Sequence, residues 1–158
     1  MLKVLLGCLI VAFSSFSGYY LAKRYRQRKA FFRQLYEFNQ RFLNEIAYYR
    51  RPIQEFIGKY TYQTDFEEVL QDYFSSLRGG LFDLGGYAFL KEDERIFLYD
   101  YFQMLGKGDS SSQKTYYTSV KDGLTKWKIT SEEEAKKYED LYVKLGFLCG
   151  LFILILII

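Results

Sequence analysis

Residues that could do chemistry are few in this chain, and their spacing does not suit it. There is no histidine, so imidazole proton relays and histidine-bearing metal sites are excluded. Cys8 and Cys149 are the two cysteines, too few for a disulfide framework or a four-cysteine zinc site. Glycines at 79–80, 85–86, 106 and 108 never take the spacing of a P-loop or a dinucleotide-binding turn. Lys107 stands between two glycines with no serine or threonine directly after it, which reads as a helix–helix turn. Glu92-Asp93-Glu94 and Glu132-Glu133-Glu134 could attract a divalent cation. Consecutive carboxylates point different ways around a helix, however, and acids are favoured at a helix N-terminus by its dipole. Glu132–Glu134 also precede Lys136-Lys137 at supportive spacing. Asp65, Glu67 and Glu68 read as a solvated helix start, and Ser110–Ser112 have no base. The chain is thus read as non-enzymatic, with no catalytic, cofactor-binding or metal-binding residue and no small-molecule substrate.

The elements around these residues divide sharply by charge. Hydrophobic residues make up 49% of the 158, an ordinary bulk figure. Yet Val4–Ala22 and Leu145–Ile158 contain no charged residue, and all nineteen acids lie between Glu37 and Asp140. Nineteen residues of helix rise about 28 Å, close to a hydrocarbon core of about 30 Å. Residues 1–22 are therefore expected to be an N-terminal transmembrane helix. A signal peptide cut before Gly18 and a lipoprotein box at Leu5-Leu6-Gly7-Cys8 are the alternatives. A signal peptide would place its positive charge ahead of the apolar run, where only Lys3 stands. The lipoprotein box lies too near Met1. Residues 145–158 are expected to be a second, short transmembrane helix of about 21 Å, with Lys144 extending its reach by snorkelling. Gly146 and Gly150 form a small-x-x-x-small pair that would let another helix approach.

Lys23, Arg24, Arg26, Arg28 and Lys29 place five positive charges in seven residues directly after the first apolar run. The positive-inside rule puts residues 23–144 in the cytoplasm, with both termini on the far face. Over residues 23–51 nine bases oppose two acids, whereas the whole middle region is nearly balanced. That local excess suits anionic lipid of the bilayer better than nucleic acid.

The middle region has helical periodicity. Phe31, Leu35, Phe38, Phe42, Ile46 and Tyr49 define a helix to Arg51 that can run on from the membrane, with bases and amides on its other faces. Pro52 suits the start of a stretch over Ile53–Lys59. Thr64 or Asp65 is the expected cap of a helix burying Phe66, Val69, Leu70, Tyr73, Phe74 and Leu77. Leu81–Leu90 fits a short strand or a short helix. Asp93 is the expected cap of a helix to Leu105 with Ile96, Phe97, Leu98, Tyr101 and Phe102 inward. Asp109 and the serines open the next helix, whose pattern runs from Gln113 through Tyr116, Tyr117, Val120 and Leu124 to Trp127. Ser131-x-x-Glu134 fits a capping box or the exposed face of one long helix. Tyr138, Leu141 and Leu145 continue the periodicity into the tail. The predicted fold class is all-α: a helical bundle over 23–144 flanked by the two terminal transmembrane helices.

Four fragments carry a resemblance: Glu45-Ile46-x-Tyr48 followed by Pro52; Asp93 leading into Leu98; Leu105-Gly106-x-x-Asp109-x-x-x-Gln113; and Lys144-Leu145-Gly146-x-x-x-Gly150. In their order, spacing and placement between two apolar ends, the chain resembles the stage III sporulation protein AB family of spore-forming Firmicutes. The resemblance implies a helical domain similar to the cytoplasmic domain of type II secretion and type IV pilus platform proteins. It also implies membership of the channel complex joining mother cell and forespore, in the mother-cell membrane around the forespore, beside other stage III proteins and the complex's ATPase. A platform-like part of a secretion or pilus machine is the alternative; such a platform repeats the domain, and this chain shows one copy. The exposed charges Lys107 and Asp109 are the candidate partner contact, with turn and cap chemistry as their simpler role.

Overall fold

Long uncharged or amphipathic stretches without proline become helix here. The computed structural model describes residues 2–48 and 53–157. Its elements are α1 (Leu2–Tyr48), α2 (Ile53–Gly58), α3 (Thr64–Leu77), α4 (Glu92–Gln103), α5 (Ser110–Ser119) and α6 (Lys121–Ile157). Among the described residues the fold is all-α. The chain divides into two compact units, Met1–Lys29 with Thr130–Ile158, and Ala30–Ile129; α1 and α6 contribute to both. The bundle unit is therefore shorter than the 23–144 read from charge. Pairing of α1 with α6 continues past the apolar runs as far as Arg28 and Glu134. Among the described residues, α1 is the helix long and apolar enough to cross a membrane.

The unit Ala30–Ile129 is built on aromatic packing. Phe31, Phe32, Leu35, Phe38, Phe42 and Ile46 of α1 are all buried, as their three- and four-residue spacing predicts. Phe38 is the hub, with the rings of Phe42, Phe56, Tyr62 and Phe66 at centroid distances of 6.1, 5.5, 5.9 and 5.7 Å. Phe42 meets Tyr117 edge-on at 4.9 Å, and Trp127 stacks on Phe32 at 6.0 Å. Edge-to-face and offset pairs of this kind add about 0.5–1.5 kcal/mol each beyond the area they bury. Tyr49 and Pro52 lie outside the described residues.

Several local expectations are corrected. The N-cap of α3 is Gln63, not Thr64 or Asp65. Its carbonyl accepts from Phe66 and Glu67 N–H at 3.1 and 2.9 Å, so Thr64 and Asp65 fall inside the first turn. The N-cap of α4 is Lys91, not Asp93. Glu94 reaches back to the Lys91 N–H at 2.9 Å, doing with one carboxylate what a capping residue does. Leu77 and Ile96 are exposed rather than inward: Ile96 lies off the face that α4 buries, whereas Leu77 shares the face of Leu70 and Tyr73 but is the last residue of α3, where that face runs out of core. Leu81–Leu90 is neither strand nor helix; it is a run of turns that still delivers Leu84, Phe89 and Leu90 to the core. The pattern from Gln113 to Trp127 is broken at Val120, the C-cap of α5. Ser131 and Glu134 lie inside one long helix, α6, and Ser131 is buried rather than on an exposed face.

A polar knot sits in this apolar core. Tyr101 OH donates to Asn39 Oδ1 at 3.1 Å, Asn39 Nδ2 donates to the Tyr117 carbonyl at 3.2 Å, and Tyr117 OH donates to the Tyr101 carbonyl at 3.0 Å. All three residues are fully buried. Burial holds both phenol groups above their ordinary range, so they remain protonated donors. Asn39, which the sequence pattern leaves on a polar face, is the acceptor for the buried Tyr101 hydroxyl and a donor to the Tyr117 carbonyl. Asn39→Ala removes that acceptor and is expected to cost about 2–4 kcal/mol. Unfolding of the detergent-solubilised full chain by guanidinium, followed by the fluorescence of Trp127, its one tryptophan, measures the cost. A loss below about 0.5 kcal/mol, less than one ordinary hydrogen bond, would contradict the knot's role.

Candidate functional site

The terminal unit brings together residues far apart in sequence. The small residues Gly7, Ser14, Gly18 and Ala22 of α1, with Val11 between the first two, recur in steps of three and four that make one face of a helix. Gly146 and Gly150 of α6 lie against this face. A Cβ added to Gly146 would stand 2.8 Å from the Ser14 carbonyl oxygen and 3.0 Å from the Gly18 Cα. One on Gly150 would stand 2.8 Å from the Val11 Cα, and one on Gly18 would run into the Tyr142 carbonyl. No side chain fits at these three positions, so backbone meets backbone. Ser14 Oγ seals the contact by donating to the Gly146 carbonyl at 2.6 Å.

The seam fixes an antiparallel register. Gly7 faces Leu154, Val11 faces Gly150, and Gly18 faces Tyr142 and Gly146. Tyr25 then packs on Tyr138 and Tyr142 at ring distances of 5.3 and 5.7 Å. The C-terminal apolar run of α6 thus lies alongside the N-terminal apolar run of α1. Lys144, between Tyr142 and Gly146 in sequence, falls at the level of Gly18, about one turn inside the α1 apolar run. Its partner Asp140 is 3.7 Å away, with both side chains largely exposed, a pair of little energetic weight.

Beyond the apolar seam the pairing becomes ionic. Arg28 Nη1 meets Glu134 Oε2 at 2.5 Å, and the arginine is only 3% exposed. Arg26 Nε lies 3.4 Å from Glu139 Oε1, and its guanidinium sits 4.7 Å above the Tyr19 ring. Of the five cations read as a membrane-facing cluster, Lys23, Arg24 and Lys29 are exposed. Arg28 is not a surface charge at all. Sequence reasoning missed Gly7, Gly18, Ser14, Glu134 and Glu139 as partners. The small-residue periodicity of α1 could have revealed the first three; nothing local in the sequence marks the two acids.

Lys107 and Asp109 lie in the other unit, at the turn from α4 to α5. Gly106 and Gly108 take φ of 75° and 82° there, a left-handed conformation that favours glycine. Lys107 Nζ donates to Gln103 Oε1 at 2.8 Å. Asp109 is the N-cap of α5 and accepts from the Ser112 N–H at 3.0 Å. An open hollow of about 510 Å³ lies beside α3, lined by Ile57, Tyr60, Phe74, Glu67, Gln71 and Arg78 among others. Glu67 and Gln71 are bonded to each other there. Among the described residues no three histidine, cysteine or acidic side chains are placed to hold a metal ion.

These features define an all-helical protein with a close-packed pair of terminal helix segments and an aromatic-cored bundle. The chain matches the family description of stage III sporulation protein AB over residues 3–158, nearly its whole length. It belongs to that family, and so to a group of proteins acting in stage III of sporulation. No curated protein and no solved structure matches it.

Two outcomes follow for these side chains. Arg28→Met leaves Glu134 without its buried counter-charge and is expected to destabilise the chain by about 3 kcal/mol, whereas Arg28→Met with Glu134→Met recovers most of the loss. Thermal unfolding of the full chain in detergent reads both; equal losses in single and double variants would contradict the pairing. At Asp109, hydrogen bonds from the Ser112 side chain and then its backbone N–H hold the carboxyl below its usual range. Its capping is therefore complete above the ordinary carboxylate pKa and is lost as pH falls through the lowered value. Asp109→Asn keeps an acceptor and is expected to abolish that acid-side dependence, as helicity followed through an acid titration would show.

Proposed function

We propose that this chain is a non-enzymatic membrane scaffold of the channel complex between mother cell and forespore. It is anchored by two spans, with its helical bundle in the cytoplasm, where it holds the complex's ATPase against the channel. The observation that carries the reading is the glycine seam. Backbone-to-backbone packing along Gly146 and Gly150 runs through the apolar stretches of both helices, and small-residue packing of this kind joins helices where lipid removes the hydrophobic drive. A second short apolar segment gains a partner of its own length in this way. The cations after the first apolar run favour the cytoplasmic side for the bundle. The family assignment supports the sporulation setting. Likeness of the bundle to the secretion platform domain belongs to the same proposal.

The decisive experiment combines topology with partnership. With Cys8 and Cys149 replaced by serine, Ile96→Cys and Leu81→Cys, at two well-exposed positions, are expected to resist an impermeant thiol reagent applied to intact vegetative cells expressing the full chain in their plasma membrane and to react after permeabilisation. Crosslinking of the membrane fraction of sporulating cells is expected to recover the ATPase with the full chain. Labelling from outside, or recovery of neither ATPase nor channel component, would overturn the proposal.

A further inference from the structure

The structure redistributes the positive charge of the terminal unit. Arg26 and Arg28 are held by Glu139 and Glu134. A planar guanidinium suits a fixed carboxylate partner, whereas an ammonium on a flexible stem serves as a mobile point charge. Lys23 and Lys29 of α1 remain exposed, and so do Lys136 and Lys137 of α6. The register set by Arg28 with Glu134 and Arg26 with Glu139 puts Lys136 and Lys137 at the level of Arg26–Arg28. Lys23 to Lys29 rise about 9 Å. The four lysines therefore fall within one band just beyond the apolar run of α1, in whose last turn Tyr19 and Tyr20 are also exposed. Glu133 and Asp140 are the exposed acids of this band, and Asp140 lies beside Lys144.

We infer that this band binds the phosphate groups of anionic phospholipids, through lysines drawn from both helices rather than through the contiguous cluster of residues 23–29. The inference rests on the membrane reading above. Lys137 Nζ lies 5.0 Å over the Tyr138 ring, which ties its stem to the helix surface. Tyr19 and Tyr20 supply amphipathic rings at the depth where headgroups meet hydrocarbon. Arg26 and Arg28 make the helix pair, and the pair positions the lysines.

The test uses the full chain reconstituted into vesicles of phosphatidylcholine with a minority of phosphatidylglycerol. Resistance to carbonate extraction is measured first. Spin-labelled phosphatidylglycerol and phosphatidylcholine then report which lipid is immobilised at the protein. The wild-type chain is expected to prefer phosphatidylglycerol, with the preference weakening in high salt. The variant with Lys23→Gln, Lys29→Gln, Lys136→Gln and Lys137→Gln is expected to insert equally and to lose at least about tenfold in that preference, since each lysine near an anionic surface is worth several-fold. Lys107→Gln with Lys114→Gln, in the other unit, is expected to change nothing. Failure to resist carbonate would sink the membrane reading, and this site with it. Insertion without lipid preference, or a quadruple variant that keeps it, would overturn the site alone. Abolition of the preference by millimolar inorganic phosphate would assign the lysines to a free anion instead.

Discussion

Two helices can share a seam without interdigitating side chains only where their backbones are bare. Gly18, Gly146 and Gly150 meet that condition, and at each a single added carbon would meet backbone at 3.0 Å or less. Everything else in the terminal unit follows from this approach. It allows Ser14 to reach the Gly146 carbonyl, sets the register that stacks Tyr25 on Tyr138, and brings Arg28 to Glu134. The ion pair itself adds little net stability, because removing two charges from water offsets most of their attraction. Its effect is on register: a one-turn slip would bury an arginine with no acid opposite.

The bundle unit works by a different rule. Its core is crowded with rings, and rings do not by themselves select one arrangement. The hydrogen bonds among Asn39, Tyr101 and Tyr117 do, since a packing that separated these residues would strand a buried donor. Tyr73 adds a similar tie, donating to the Leu105 carbonyl at 2.8 Å at the end of α4. In both units apolar contact supplies attraction, and a small number of buried polar groups decide its geometry.

Much of this was legible in the sequence, and the failures have physical causes. Periodicity located the inward faces of α1 and α3 and most of the inward residues of α4, because burial there follows the helical repeat. Caps were misplaced at Thr64, Asp65 and Asp93 because residue type suggested a capping side chain, while the chain used the Gln63 carbonyl and the Glu94 carboxylate instead. Leu81–Leu90 had no period to find; its shape comes from turns and from the core into which Phe89 fits. The candidate site was half visible. Gly146 and Gly150 stood out by spacing, but their partners lie more than a hundred residues away, and local reading assigns such residues no partner. Arg28 was read as a surface charge for the same reason, since its acid is 106 residues distant.

The most direct test of the account is whether the glycine seam exists in lipid. Solid-state NMR of the full chain in vesicles, with carbon-13 at the glycine α-carbons, reads it without altering a residue. The account predicts a short-range cross-peak between Gly18 and Gly146 that persists when the labelled chain is diluted with unlabelled chain. Absence of that cross-peak in inserted protein, or its loss on dilution, would contradict a seam formed within one chain.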